Sequence, residues 1–135
     1  MKILLLINDL GLGGVQHLTV YFANALQKQG EMVSVVCLFS RPESFFYRSD
    51  LLEGVFFKAL SFKNFFDIRE WIRLYYFLRQ EKFDIVFSQL FFADTVGRIT
   101  AFLARVPVIV TEIQNLIPHL PIVYIIMNRI LRHIT

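Results

Sequence analysis

A chain of 135 residues with 14 basic and 11 acidic side chains, net charge +3, is long enough for one domain with a buried core and too weakly basic to call for a nucleic-acid partner. Its apolar content of 56% exceeds the ~45–50% of an average domain, which calls for strands buried on both faces or for apolar surface reserved for a partner or a membrane. A single cysteine, Cys37, excludes an internal disulfide, and its place in an apolar run reads as a buried, inert thiol.

Lys2 to Asn8 is a continuous β-branched and leucine run, as expected of a central parallel strand buried on both faces. Val15 to Gln29 follows with apolar residues at helical spacing (Val15, Leu18, Phe22, Ala25, Leu26), and Gly30 stands where a helix C-terminal glycine belongs. Met32 to Leu38 predicts a second strand, 41–50 a loop, and Val55 to Phe62 a third strand. Asp67 is the expected N-cap of a helix over Ile68 to Glu81 with an apolar face of Ile68, Trp71, Ile72, Tyr75 and Leu78. Asp84 to Leu90 predicts a fourth strand, Ala93 to Ala104 a helix, Val108 to Thr111 a short fifth strand, and Ile122 to Ile134 a last helix with Arg129, Arg132 and His133 near its end. Strand and helix alternate throughout. With right-handed crossovers the pattern predicts an α/β, Rossmann-like parallel sheet in the order 3-2-1-4-5 with helices on both faces.

The chemistry-bearing feature is Gly11-Leu12-Gly13-Gly14-Val15-Gln16, between the first strand and the first helix. Glycines there permit close approach of a ligand to the backbone, and the free N–H groups of a helix N-terminus suit phosphate or another anion. The nicotinamide fingerprint G-x-G-x-x-G is excluded, because Gln16 stands at the third glycine and Leu38, Phe39 and Ser40 supply no acid after the second strand. A response-regulator arrangement is excluded too, since Asn8-Asp9 has no carboxylate partner after strand three and no lysine after strand five.

The segment IND-LGLGGVQHLTVYFANALQKQGEMVSVVCL resembles the opening of family 4 glycosyltransferases of the GT-B fold, in which a GG-x-[EQ] turn joins the first strand to a helix. Phe83 to Gln89, then Ala93-Asp94-Thr95-Val96-Gly97-Arg98, then Val106 to Glu112, are similar to that family's D-[IV]-[IV]-H-x-H, A-N-x-x-G-R and G-V-P-x-[IV]-x-T blocks, in the same order and spacing. The resemblance implies that Gly13 and Gly14 lie against a donor diphosphate or sugar, and that Gln16 faces the acceptor. Family histidines are absent: Phe87-Ser88-Gln89 and Glu112-Ile113-Gln114 stand in their places, which leaves Gln89, Glu112 and Gln114 as acceptor-side polar contacts. No residue is singled out as catalytic. His17, His119 and His133 are not at metal-ligand spacing, and the resemblance implies neither metal nor cofactor, the nucleotide sugar being a substrate.

Residues 1–135 are therefore read as one partial GT-B N-terminal domain, without the donor-binding domain and its paired glutamates. Alone, the chain is expected to be inactive. Its expected partners are a donor-binding domain or subunit and a glycan or lipid-linked acceptor. The rival readings are a non-catalytic subunit of a split enzyme, an inactive remnant, or a small Rossmann module for another phosphorylated ligand. The apolar stretch after Met1-Lys2 is too short for a signal-peptide core and Leu120 to Met127 too short to span a bilayer, so a cytoplasmic location is expected. Eight of the 15 phenylalanines fall between Phe39 and Phe66 among Arg41, Arg48, Lys58 and Lys63. That interleaving suits peripheral docking on an anionic membrane, although burial in the core is the expected fate of most of these rings.

Overall fold

The computed structural model describes residues 1–112. The expected helix over 122–134, and Gln114 with it, lie outside the described residues. The elements are β1 (Lys2–Ile7), α1 (Gly14–Lys28), β2 (Met32–Cys37), β3 (Phe56–Ala59), α2 (Ile68–Glu81), β4 (Ile85–Gln89), α3 (Phe91–Leu103) and β5 (Val108–Glu112). Every strand pair is parallel and the sheet order is β3-β2-β1-β4-β5, as the alternation predicts. The expected loop over 41–50 contains two short 3-10 turns, Pro42–Phe45 and Arg48–Asp50.

Leu5 of β1 lies opposite Val35 of β2 on one side and Phe87 of β4 on the other, so β1 is the centre of the sheet. Its side chains alternate between two cores. Ile3, Leu5 and Ile7 pack with Val33, Val35 and Cys37 beneath Val20 and Ala23 of α1. Leu4 and Leu6 pack on the opposite face with Leu74, Phe77 and Leu78 of α2 and with Ala93, Val96 and Ala101 of α3. Burying a Leu or Ile side chain stabilises by about 1.5–3 kcal/mol, so β1 anchors both layers at once.

Gly30 adopts φ 89° one residue beyond the C-cap of α1, donating to the Gln27 carbonyl while Glu31 N–H reaches Leu26. That is the Schellman arrangement, and only glycine adopts its backbone without strain. Three expectations need correction. The third strand is four residues long, although past it Leu60 and Phe62 N–H still donate to the Cys37 and Leu38 carbonyls at 2.8 and 2.9 Å while their side chains enter the core. Asp67 is the N-cap residue of α2, its main-chain carbonyl accepting from Glu70 and Trp71, but its side chain makes no cap hydrogen bond; the carboxylate accepts instead from Lys63 N–H at 3.3 Å. The buried face of α2 is Leu74, Phe77 and Leu78 with Trp71 and Tyr75 on its flank, while Ile68 and Ile72 stay in water.

Burial also does not claim most of the 39–66 phenylalanines. Only Phe62 is fully buried, whereas Phe46, Phe56, Phe65 and Phe66 are exposed, Phe66 to 89%. No helix among the described residues is long and apolar enough to cross a membrane.

Candidate functional site

In the order β3-β2-β1-β4-β5, the connection from β1 leads to one side of the sheet and that from β4 to the other. The crevice between the carboxyl ends of β1 and β4 is thus the topological switch point, where open α/β sheets bind ligands. Helix α1 starts there at Gly14 on one face and α3 at Phe91 on the other.

Gly13 precedes α1 in an extended conformation open to any residue (φ 169°), so its backbone does not demand glycine. A Cβ on Gly13 would sit 2.1 Å from Oε1 of Gln16, the far end of a flexible side chain that folds back over the turn and would have to swing aside. The structure thus brings Gly13 and Gln16 together, and a Cβ on Gly14 would meet no protein atom within 4 Å. The first turn of α1 carries no acidic side chain and no side-chain cap. Its N–H groups and the positive end of the helix dipole are available to an anion.

Gln89 and Glu112 are also brought together, but not as two free polar contacts. Gln89 is 3% exposed, at the end of β4, and its Nε2 donates to Glu112 Oε2 at 2.7 Å. A carboxylate can only accept, which orients the amide and turns Oε1 toward the hydroxyl of Thr19 on α1, 2.6 Å away. Thr19 has one hydrogen for two acceptors, the other being the Val15 carbonyl at 2.8 Å. Both ends of the Gln89 amide are thus bonded, and it ties the partly buried Glu112 to the first helix.

Asn8, just past β1, accepts from Ala93 N–H at 2.8 Å and so caps α3 from a distant part of the sequence. Leu90, between β4 and α3, has φ 69°, a left-handed backbone that costs a non-glycine residue about 1–3 kcal/mol and tends to gather at functional sites. One turn on, Asp94 Oδ1 accepts from Arg98 Nε at 3.0 Å and from the Ser88 hydroxyl at 3.2 Å, and Arg98 Nη2 donates to Thr111 at 2.9 Å. Burial pushes the Asp94 carboxyl above its usual 3.8, opposed by Arg98 and Ser88. Gly97 lies where a Cβ would come within 2.8 Å of Leu6 Cδ2 and 3.1 Å of Ser88 Cβ, so α3 rests directly on β1 and β4. The Ala93–Arg98 block thus serves the fold: a capped, close-packed helix that carries a buried ion pair within its own turn and is tied to β5 by the Arg98–Thr111 hydrogen bond.

Sequence reasoning missed Asn8 as a cap, Thr19 as a bridge and the buried Asp94–Arg98 pair. The i,i+4 spacing of Asp94 and Arg98 was the one signal that could have found the pair. Among the described residues, no group of three His, Cys, Asp or Glu side chains could hold a metal ion. His17 packs on the Tyr47 ring, and burial raises the Cys37 thiol to about 12, which keeps it protonated.

The family model of Glycosyltransferase Family 4 matches residues 12–133, and the chain belongs to that family. Its fold is similar to that of HepE from Anabaena in complex with UDP (TM-score 0.75, 17% identity, 97% of this chain and 35% of that one). HepE with UDP and glucose gives a TM-score of 0.72 at 15% identity over the same shares. MurG from Acinetobacter baumannii gives 0.68 at 18%, covering 100% of this chain and 40% of that one. The chain spans between a third and two fifths of these neighbours. No curated protein matches the sequence.

Proposed function

We propose that this chain is the acceptor-side portion of a retaining glycosyltransferase, moving a sugar from a nucleotide-sugar donor to a glycan or lipid-linked acceptor. The observation that carries the reading is the uncapped, acid-free N-terminus of α1, set behind two glycines at the switch point, in a member of this family. The HepE structures hold UDP, one of them with glucose, and that likeness suggests a nucleotide sugar as donor here. In the transfer, the bond from the anomeric carbon to the diphosphate oxygen breaks, the acceptor oxygen bonds that carbon in its place, and the acceptor's hydroxyl proton passes to the departing nucleoside diphosphate. Gly13 and Gly14 would admit the diphosphate to the first-turn N–H groups as negative charge develops on it.

Magnitude decides whether this half suffices. A solvent-exposed helix N-terminus supplies about 0.3–1 kcal/mol to an anion, against the ~4 kcal/mol of even a millimolar complex. A donor-binding domain, from further sequence or a partner subunit, must supply the rest and exclude water. One observation favours the rival, a non-catalytic subunit or inactive remnant: where the family motifs carry histidine, Gln89 and Glu112 are bonded to each other, so no imidazole is offered there.

The test is glycosyl transfer by the natural polypeptide that contains this chain, purified with whatever subunits accompany it. Gly14→Trp should abolish transfer and leave circular dichroism unchanged, because the added ring meets ligand space rather than protein. Unchanged turnover would remove the glycine turn from the site.

A further inference from the structure

A cavity of about 550 Å³ opens beside the glycine turn, between Asp9, Gly11, Leu12 and Gln16 on one wall and Pro42, Glu43, Phe45 and Phe46 on the other. Its size falls within the ~300–1,000 Å³ of small-molecule sites. Resting on the reading of this chain as the acceptor side, we infer that the cavity takes an uncharged saccharide, the terminal sugar of the acceptor. It offers two carboxylates, one carboxamide and the Phe46 ring, which is 58% exposed. Carboxylates and an amide accept and donate hydrogen bonds to hydroxyls, and an open aromatic face stacks on the C–H face of a pyranose.

The walls are fixed. Asp9 Oδ1 accepts from Gly11 N–H at 2.8 Å, and a Cβ on Gly11 would lie 3.0 Å from the Glu43 carbonyl, so the two loops are in direct contact. Tyr47 N–H donates to the Leu10 carbonyl at 2.9 Å, and its ring meets Phe46 edge-on at 4.9 Å and His17 at 5.3 Å. Phe45 packs edge-on against Phe57 of β3. Little ordering is left for a ligand to impose.

Charge selects the ligand class. Among the described residues no Lys, Arg or His lines the cavity; the neighbouring guanidiniums lie over other rings, Arg41 over Phe39 and Arg48 over Phe57. Two carboxylates without a cation repel phosphate, sulfate and uronate groups. The diphosphate of a donor is thereby kept to the Gly14 side of the turn, and the saccharide to the Asp9 side.

Titrating the isotope-labelled full chain with maltose, cellobiose and lactose to tens of millimolar, and with glucose 1-phosphate and glucosamine, tests this by NMR. The expected result is that a neutral disaccharide shifts the amides of residues 9–16 and 42–46, and that Glu43→Gln and Phe46→Ala each weaken it at least tenfold while the spectrum stays dispersed. Tighter binding of glucose 1-phosphate or glucosamine, or no shift in those amides with any neutral disaccharide, overturns it. In the complete enzyme Glu43→Gln should raise acceptor KM at least tenfold at unchanged donor KM. If transfer proceeds with acceptor KM unmoved, the subsite falls and the glycosyltransferase reading stands. If wild-type transfer is absent, that reading falls and the amide map still decides the subsite.

Discussion

Asn8 closes the first turn of α3 from 85 residues away: its side-chain oxygen accepts the Ala93 N–H at 2.8 Å. The residue that ends the central strand therefore also sets where the fourth strand turns into its helix, and it joins the two sides of the switch point. Replacing a capping Asn by Ala costs about 0.5–2 kcal/mol. Asn8→Ala should lower the urea midpoint by a corresponding amount, with an unchanged slope. A loss of under a few tenths would mean that water replaces the cap.

Asp94 and Arg98 are both buried and bonded to each other, so removing one leaves the other uncompensated. Asp94→Ala should cost about 3–5 kcal/mol. Asp94→Asn isolates the proton. Because burial raises the carboxyl above its usual 3.8, the folded state holds the proton more tightly than the unfolded chain does. The stability this group contributes is full below 3.8 and is lost as pH rises through the raised value. Wild-type stability relative to Asp94→Asn should therefore fall from acid toward neutral pH. A rise would show that Arg98 outweighs burial.

Gly97 is required by contact rather than by backbone conformation, since it sits mid-helix and a Cβ would press on Leu6 and Ser88. Alanine gains about 1 kcal/mol of helix propensity there, yet overpacking a filled core costs about 1–3 kcal/mol. Gly97→Ala should be destabilising on balance, and Gly97→Leu should fail to fold. A thermal melt of Gly97→Ala at or above wild type would refute the close-packing account.

Phe65 and Phe66 stand in water beside Lys63, and Phe65 stacks on Phe92 at the start of α3. If a lipid-linked acceptor is met at a membrane, the chain should float with anionic vesicles at low salt, less so at high salt, and Phe65→Ser with Phe66→Ser should reduce binding severalfold. Absence of flotation at low salt would remove the membrane contact.

The fold was legible where one periodicity dominates. The Lys2–Asn8 run, the 15–29 spacing and the Gly30 signal each describe a segment whose environment is uniform along its length. Legibility failed where partners are distant in sequence. Ile68 and Ile72 have the spacing of a core face, but α2 is rotated by the packing of Leu74, Phe77 and Leu78 against β1 and α3, which no local pattern encodes. Of the site, the glycine turn could be read because its chemistry is contiguous. The Thr19–Gln89–Glu112 chain could not, because it joins α1, β4 and β5.

Cys37 is the sole cysteine, fully enclosed in β2 and held as a thiol. Thiol-directed dyes, spin labels and crosslinkers therefore find a silent background. A cysteine introduced at Phe46 would be the one position modified, turning the mouth of the cavity into a reporter of occupancy and of the distance to whatever subunit closes over it.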